Sequence, residues 1–265
     1  MSIISIDSGS SMVKLVNADE NGKILNRMMN QKIPILQALD IFIEKEQIKK
    51  EKISKIILTG VGKDEIQQNI YDIETIKVDE FKAIAAGGLY LAKQEEALVI
   101  SIGTGTAFVQ AKKCDSVHIG GTGVGGGTLI NLCRRIGQVD SFEEINKYIS
   151  KGNLANIDLT INDITINEIK GLPKDTTSSN FGKLSDYATK EDLVIGIANM
   201  IFETIGMMAV FASQNNKNKN IIVTGTITTI PYIKTVFKKI EKLHNIKFII
   251  PRDAEFATAI GAIKI

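Results

Sequence analysis

ALVISIGTGTAFVQAKKCDSVHIGGTGVGGGT, residues 97–128, holds eight of the chain's 22 glycines. They are Gly103, Gly105, Gly120, Gly121, Gly123, Gly125, Gly126 and Gly127. The apolar run 97–100 has the composition of a strand. A turn follows at Gly103-Thr104-Gly105-Thr106, and a second strand is expected over 107–111. The triple glycine stands directly before an apolar helical pattern at 129–136. Glycines between a strand and a helix let backbone N–H groups approach a ligand, and a helix N-terminus adds partial positive charge. The expected ligand is therefore an anion. Tight turns alone would account for one or two of these glycines, not eight.

The same design occurs once before in the chain. Residues 4–14, ISIDSGSSMVK, align with 100–110, ISIGTGTAFVQ, at a constant offset of 96. Five positions are identical and two more exchange Ser for Thr. Each copy reads strand, hydroxyl-and-glycine turn, strand, which predicts two lobes of like topology facing each other across a cleft. The expected division is 1–95 and 96–265, with a small-residue helix at 254–262 packing back on the first lobe. Around these hairpins the pattern predicts strands at 23–29, 53–59, 75–78, 220–224 and 247–250. Helices are expected from 35 onwards and at 80–93, 126–136, 141–149, 190–214 and 231–243. Strands alternating with helices make the class α/β. Residues 152–177 are polar and irregular, and read as an insertion.

Composition excludes several functions. The formal charge is +2, from 32 basic and 30 acidic residues, so nothing draws the chain to nucleic acid or to an anionic membrane. Clusters such as Lys49-Lys50 and Lys217 to Lys219 read as solvated faces. Cys114 and Cys133 have neither CxxC spacing nor a histidine cluster beside them, which points to a reducing cytoplasm. The apolar stretch 193–212 is interrupted by Asn199 and Glu203 and reads as a buried helix or a subunit interface.

With these pieces in order, the chain resembles the type II pantothenate kinases, within the acetate and sugar kinase, Hsp70 and actin superfamily. The resemblance rests on DSGSSMVK (7–14), VDEFKA (78–83), SIGTGT (101–106), HIGGTGVGGGTL (118–129), SNFGKL (179–184), VTGT (223–226) and AEFATAIGA (254–262). It implies a two-lobed actin-like ATPase fold of duplicated ribonuclease H-like lobes, with ATP and Mg²⁺ as cofactors. It also implies a small alcohol, pantothenate, as acceptor in coenzyme A synthesis, and a cytoplasmic homodimer.

The resemblance assigns roles to residues. Asp7, Ser8, Gly9, Ser10, Ser11, Met12, Val13 and Lys14 match the first phosphate loop, where Asp7 would hold Mg²⁺ directly or through water. Hydroxyls, a glycine and a lysine suit that chemistry, although a solvated hairpin turn has the same composition. Glu80 matches the catalytic base, with Asp79 as its competitor and a helix N-terminal acid as the plainer reading. Thr104 matches a nucleotide contact, and Gly126, Gly127, Thr128, Leu129 and Ile130 match the helix start beneath the phosphates. Phe142 falls near the adenine or simply in the core, and Thr226 in the adenosine loop. Gly105, Thr106 and His118 border the acceptor.

Two departures stand out against the family pattern: His118 replaces an arginine that holds the acyl substrate, and Ala107 replaces a serine. An imidazole does not reproduce the guanidinium fork. The phosphate machinery thus reads as intact and the acceptor pocket as altered. Three alternatives stay open: a kinase of another small hydroxyl compound, a non-catalytic nucleotide or coenzyme A sensor, and an ATPase activator of radical dehydratases, whose first loop is also of DxGS type.

Overall fold

The structure is a computed structural model of residues 1–265 that describes every residue except Cys114, Asn215, Lys217 and Asn218. The expected Lys217 to Lys219 cluster therefore lies partly outside the described residues.

The first lobe opens with three antiparallel strands, β1 (Ser2–Ser8), β2 (Met12–Asp19) and β3 (Ile24–Gln31). Helix α1 (Ile35–Lys45) leads to β4 (Ile53–Thr59) and β5 (Thr75–Lys77), both parallel to β1. The sheet order is β3-β2-β1-β4-β5. Apolar residues fill it because β1 and β2 are buried on both faces: Ile4, Ile6, Val13 and Leu15 pack under Leu39 and Phe42 of α1.

The second lobe repeats this order. Strands β6 (Glu96–Ile102), β7 (Thr106–Lys112) and β8 (Asp115–Thr122) form an antiparallel meander. Helices α3 (Gly126–Leu132) and α4 (Phe142–Ile149) follow. The insertion carries β9 (Leu159–Thr160), α5 (Ile161–Ile164) and β10 (Thr177–Ser179), with β9 and β10 pairing as a small ribbon, so it is less irregular than its composition predicts. Helix α6 (Lys190–Ala212) then crosses the lobe, followed by β11 (Asn220–Thr224), α7 (Tyr232–His244), β12 (Lys247–Ile249) and α8 (Ala257–Ile263). The second sheet runs β12-β11-β6-β7-β8, with β11 and β12 parallel to β6. Strand for strand this is the order of the first sheet, as the repeat predicts.

An unexpected strand and a shortened helix are the main differences. Strand β8, the counterpart of β3, is absent from the sequence expectation because Gly120, Gly121 and its polar residues give it no strand composition. The helix expected over 126–136 ends at Leu132, where a wider π-type turn, Cys133–Gly137, takes over.

Two helices join the lobes, and each covers the other lobe's sheet. Helix α2 (Glu80–Ala92) lays Ile84 and Leu89 on Val99, Val109 and Ile222 of the second sheet. Helix α8 lays Ile260 and Ala262 on Val16 and Ile57 of the first. They cross at backbone contact. A Cβ on Gly87 would stand 1.8 Å from the Ala257 carbonyl oxygen, and one on Gly261 1.9 Å from that of Ala83. Helix α6 is long and apolar enough to cross a membrane, but two thirds of that window (67%) is buried inside the second lobe, where Phe202 and Ile205 meet Phe237 of α7.

Candidate active site

The repeat brings the two hydroxyl-and-glycine turns together. Thr104 Oγ1, at the tip of β6–β7, lies 2.7 Å from Ser10 Oγ and 2.9 Å from Ser11 Oγ, at the tip of β1–β2. Beneath the first tip, Asp7 and Lys14 face each other across the strand pair. Both are almost fully buried, and their charged atoms stand 3.9 Å apart, too far for a hydrogen bond. Burial pushes the Asp7 carboxyl above its ordinary range, and the Lys14 charge pulls the other way. Such a carboxylate is short of compensating charge and suits a cation. Among the described residues no group of three or more His, Cys, Asp or Glu forms a metal cage. A magnesium ion here would rest on Asp7 and otherwise on phosphate oxygens and water, the coordination that Mg²⁺ favours.

Helix α2 starts beside this pair. Asp79 is its N-cap, accepting a hydrogen bond of 3.0 Å from the Lys82 N–H. That employs Asp79; Glu80, the next residue, is half-buried and close enough to Asp7 and Lys14 to feel their charges. Burial and the nearby Asp7 charge raise the Glu80 carboxyl above its ordinary value, while Lys63 and Lys14 oppose the rise. The ring of Phe81 stacks on His118 of β8, with centroids 3.9 Å apart and planes within 9°. His118 is thereby tied to the first turn of α2, the turn that carries Glu80.

The glycine-rich stretch is used differently from the sequence expectation. The N–H groups of Gly126 and Gly127 donate to Gly103 O and Thr104 O, at 2.8 and 2.9 Å. They are consumed inside the protein and are not free phosphate donors. A Cβ on Gly125 would stand 2.7 Å from Gly105 C, one on Gly126 2.8 Å from Gly103 O, and one on Gly105 2.8 Å from Thr122 O. These glycines let the two turns pack backbone to backbone and so hold Thr104 at the cleft. Thr106 is buried and donates to Val124 O, and Thr128 Oγ1 donates to Gly123 O. Leu129 is in the core, while Ile130 and Phe142 pack partly against it, Phe142 over Gly126. Thr226 is buried directly after β11.

Sequence reading missed one element. The ends of β4 and β11 carry Ile56-Ile57-Leu58-Thr59-Gly60 and Ile221-Ile222-Val223-Thr224-Gly225, a second repeat visible in the sequence. Both glycines are left-handed, with φ of 83° and 97°. Each seats its loop on the end of a central strand. A Cβ on Gly60 would meet Asp7 Oδ1 at 2.7 Å, and one on Gly225 would meet Ile102 O at 2.3 Å. In the first lobe this places Gly60 to Glu65 against Asp7 and Ser8, where Lys32 Nζ donates to Ser8 Oγ at 2.7 Å and pairs with Glu65 at 2.9 Å.

Cys133 is fully buried, and its thiol is pushed up to about 12. It is in no position to bridge an iron–sulfur cluster between subunits, as the activator alternative requires; Cys114 lies outside the described residues.

Duplicated sheets, facing hairpins and exchanged helices define the actin-like ATPase fold. Solved structures agree at the level of fold. The activator of the 2-hydroxyisocaproyl-CoA dehydratase from Clostridium difficile, with bound ADPNP, superposes with a TM-score of 0.73 at 17% identity, over 99% of this chain and 93% of that one. A ROK family glucokinase from Streptomyces griseus, in complex with glucose and AMPPNP, gives 0.61 at 12%, over 99% and 98%. The family profile described as Fumble matches residues 92–262, and the chain belongs to that family. It is similar to the type II pantothenate kinase of Oceanobacillus iheyensis, 29% identical over 99% of this chain and 98% of that protein. It is similar also to that of Bacillus thuringiensis, 27% identical over 99% and 96%.

Proposed function

We propose that the protein is an ATP-dependent kinase that phosphorylates the primary hydroxyl of pantothenate, a step towards coenzyme A. The observation that carries this reading is the meeting of Ser10, Ser11 and Thr104 directly above the buried Asp7–Lys14 pair, with Glu80 alongside. The likeness to type II pantothenate kinases over nearly the whole chain supports the acceptor.

On this reading the serine and threonine hydroxyls exchange their mutual hydrogen bonds for phosphate oxygens when the nucleotide enters. Lys14 supplies a point charge to the phosphates, and Asp7 would hold a magnesium ion, whose chemistry there would be neutralisation of phosphate charge. The first-loop backbone from Ser8 to Val13 lies along the phosphates. Gly126 to Ile130 support the floor indirectly, by packing on the backbone of Gly103 and Thr104, and Phe142 and Thr226 flank the nucleoside. Glu80 accepts the proton of the attacking hydroxyl. Its raised carboxyl makes it a stronger base once ionised, and the half-buried setting keeps bulk water from competing. Gly105, Thr106 and His118 border the acceptor. The lobes 1–95 and 96–265 close on the substrates about the α2–α8 pair.

The same reading makes the protein a cytoplasmic homodimer. Leu193, Met200, Met208 and Phe211 remain partly exposed along one stripe of α6, with Phe211 at 61%, and suit a second copy. Sedimentation as a monomer at micromolar concentration would reject the dimer. Coupled ATP turnover with and without pantothenate tests the kinase. Turnover that ignores pantothenate, or retained turnover in Glu80→Gln, rejects the assignment.

A further inference from the structure

An acid that enters this site meets three carboxylates, those of Asp7, Asp79 and Glu80, and needs a cation of its own. The surrounding cations are mostly spoken for. Lys14 faces Asp7 at 3.9 Å, Lys32 pairs with Glu65 at 2.9 Å, and Lys77 pairs with Asp64 at 2.9 Å. Lys82 points from the exposed side of α2. His118 lies flat on Phe81. Lys63 is different. It is half-buried and its charge acts on Glu80, yet it makes no ion pair within 4 Å among the described residues.

Its placement follows from the sheet. The order β2-β1-β4-β5 sets Lys14, Asp7, the β4 loop and the start of α2 in a row. Lys63 therefore stands on the acceptor side of Asp7, away from Lys14. Its loop has little freedom: Gly60 is left-handed against Asp7, and a Cβ on Gly62 would stand 2.4 Å from Ser8 Oγ. A lysine held on such a base loses less entropy on pairing than one on a free loop.

We propose that Lys63 determines acceptor specificity: its ammonium holds the carboxylate of a hydroxy-acid acceptor while Glu80 faces the hydroxyl. This rests on the kinase reading above and assigns the acceptor's charged end to the β4 loop, not to residue 118.

The test compares the parent with Lys63→Gln and Lys63→Arg on a matched pair of acceptors, pantothenate and its uncharged alcohol counterpart, in coupled ATP turnover. A charge-assisted contact of this kind is worth about tenfold or more in affinity. Lys63→Gln should raise KM for pantothenate by about that factor, with the KM for the alcohol and for ATP moving less than about twofold, and Lys63→Arg should recover most of the loss. An equal rise for both acceptors would mean that Lys63 only supports the loop, and would overturn the proposal. So would a fall in kcat with neither KM changed, which would place Lys63 on the transferring phosphoryl group. A parent that takes pantothenate, joined to an indifferent Lys63→Gln, sinks this proposal alone. A parent that takes only the alcohol, or neither compound, sinks the acceptor reading and this proposal together.

Discussion

The β1–β2 and β6–β7 hairpins share strand order, register direction and a hydroxyl-and-glycine tip, yet they carry different chemistry. The first buries a charge pair, Asp7 and Lys14. The second has Gly103 and Gln110 at the positions 96 residues on, and spends its glycines on packing against Gly125 to Gly127. Duplication thus supplies two facing frames, and only one of them holds charge. An anion bound between two equally charged frames would have no preferred end; here the polarity of the site is built into the inequality.

Equivalent substitutions break or sharpen that contrast. Lys14→Met should lower turnover by about a hundredfold or more on the proposed reading, in which its charge serves the phosphates. It also leaves Asp7 buried without compensation, at a cost of about 3–5 kcal/mol if none of it relaxes. Gln110→Met removes only a half-exposed hydrogen bond of 2.7 Å from Asn216. It should change stability by about 1 kcal/mol at most and turnover hardly at all. Equal losses in the two variants, measured by coupled assay and thermal melting, would show that the hairpins are equivalent after all.

The same inequality sets a pH dependence. Glu80 sits on the charged side, where burial and Asp7 raise its carboxyl. The proposed base works only when ionised, so kcat should fall as pH drops through that raised value. The acid limb of the kcat profile should therefore lie above the ordinary carboxylate range. Lys14 opposes the rise, so Lys14→Met should move the limb further up. For stability the sign is reversed: a carboxyl raised in the fold favours folding while protonated, and that benefit fades as pH climbs through the folded value. A limb near the ordinary carboxylate value would remove Glu80 as base.

How much of this was legible in the sequence follows from what each feature needs. Alternating apolar runs and turn residues announce strands, so the hairpins, β4, α2 and α8 were readable, and the offset of 96 revealed the duplication. Strand β8 was not, because an edge strand bearing Gly120 and Gly121 looks like loop. The use of Gly126 and Gly127 was misread because glycine permits close approach to a ligand and to backbone alike; only the partners, Gly103 O and Thr104 O, decide. Lys63 and the Phe81–His118 stack depend on tertiary neighbours from three elements, and single-chain spacing does not encode them.

Packing within the second frame makes a sharper test of the glycines. Gly125→Ala drives a Cβ to 2.7 Å from the backbone of Gly105, and backbone does not yield as a side chain does. The expected loss is about 1–3 kcal/mol in thermal or urea unfolding. Gly123→Ala, with nothing within 4 Å, should stay within about 0.5 kcal/mol. If both variants were equally tolerated, the glycines would owe their presence to the ligand instead.

The smallest effect lies where the frames touch. Thr104→Val keeps the shape of the tip but deletes the hydroxyl that meets Ser10 and Ser11. The group is exposed, so water replaces it and stability should fall by less than about 1 kcal/mol. ATP binding should weaken about threefold to tenfold, because one of three converging hydroxyls is gone. The acceptor KM should not follow, since the Glu80 side of the cleft is untouched. If Thr104→Val weakened the acceptor and spared ATP, the tips would belong to the acceptor, and the site would have to be read in the opposite direction.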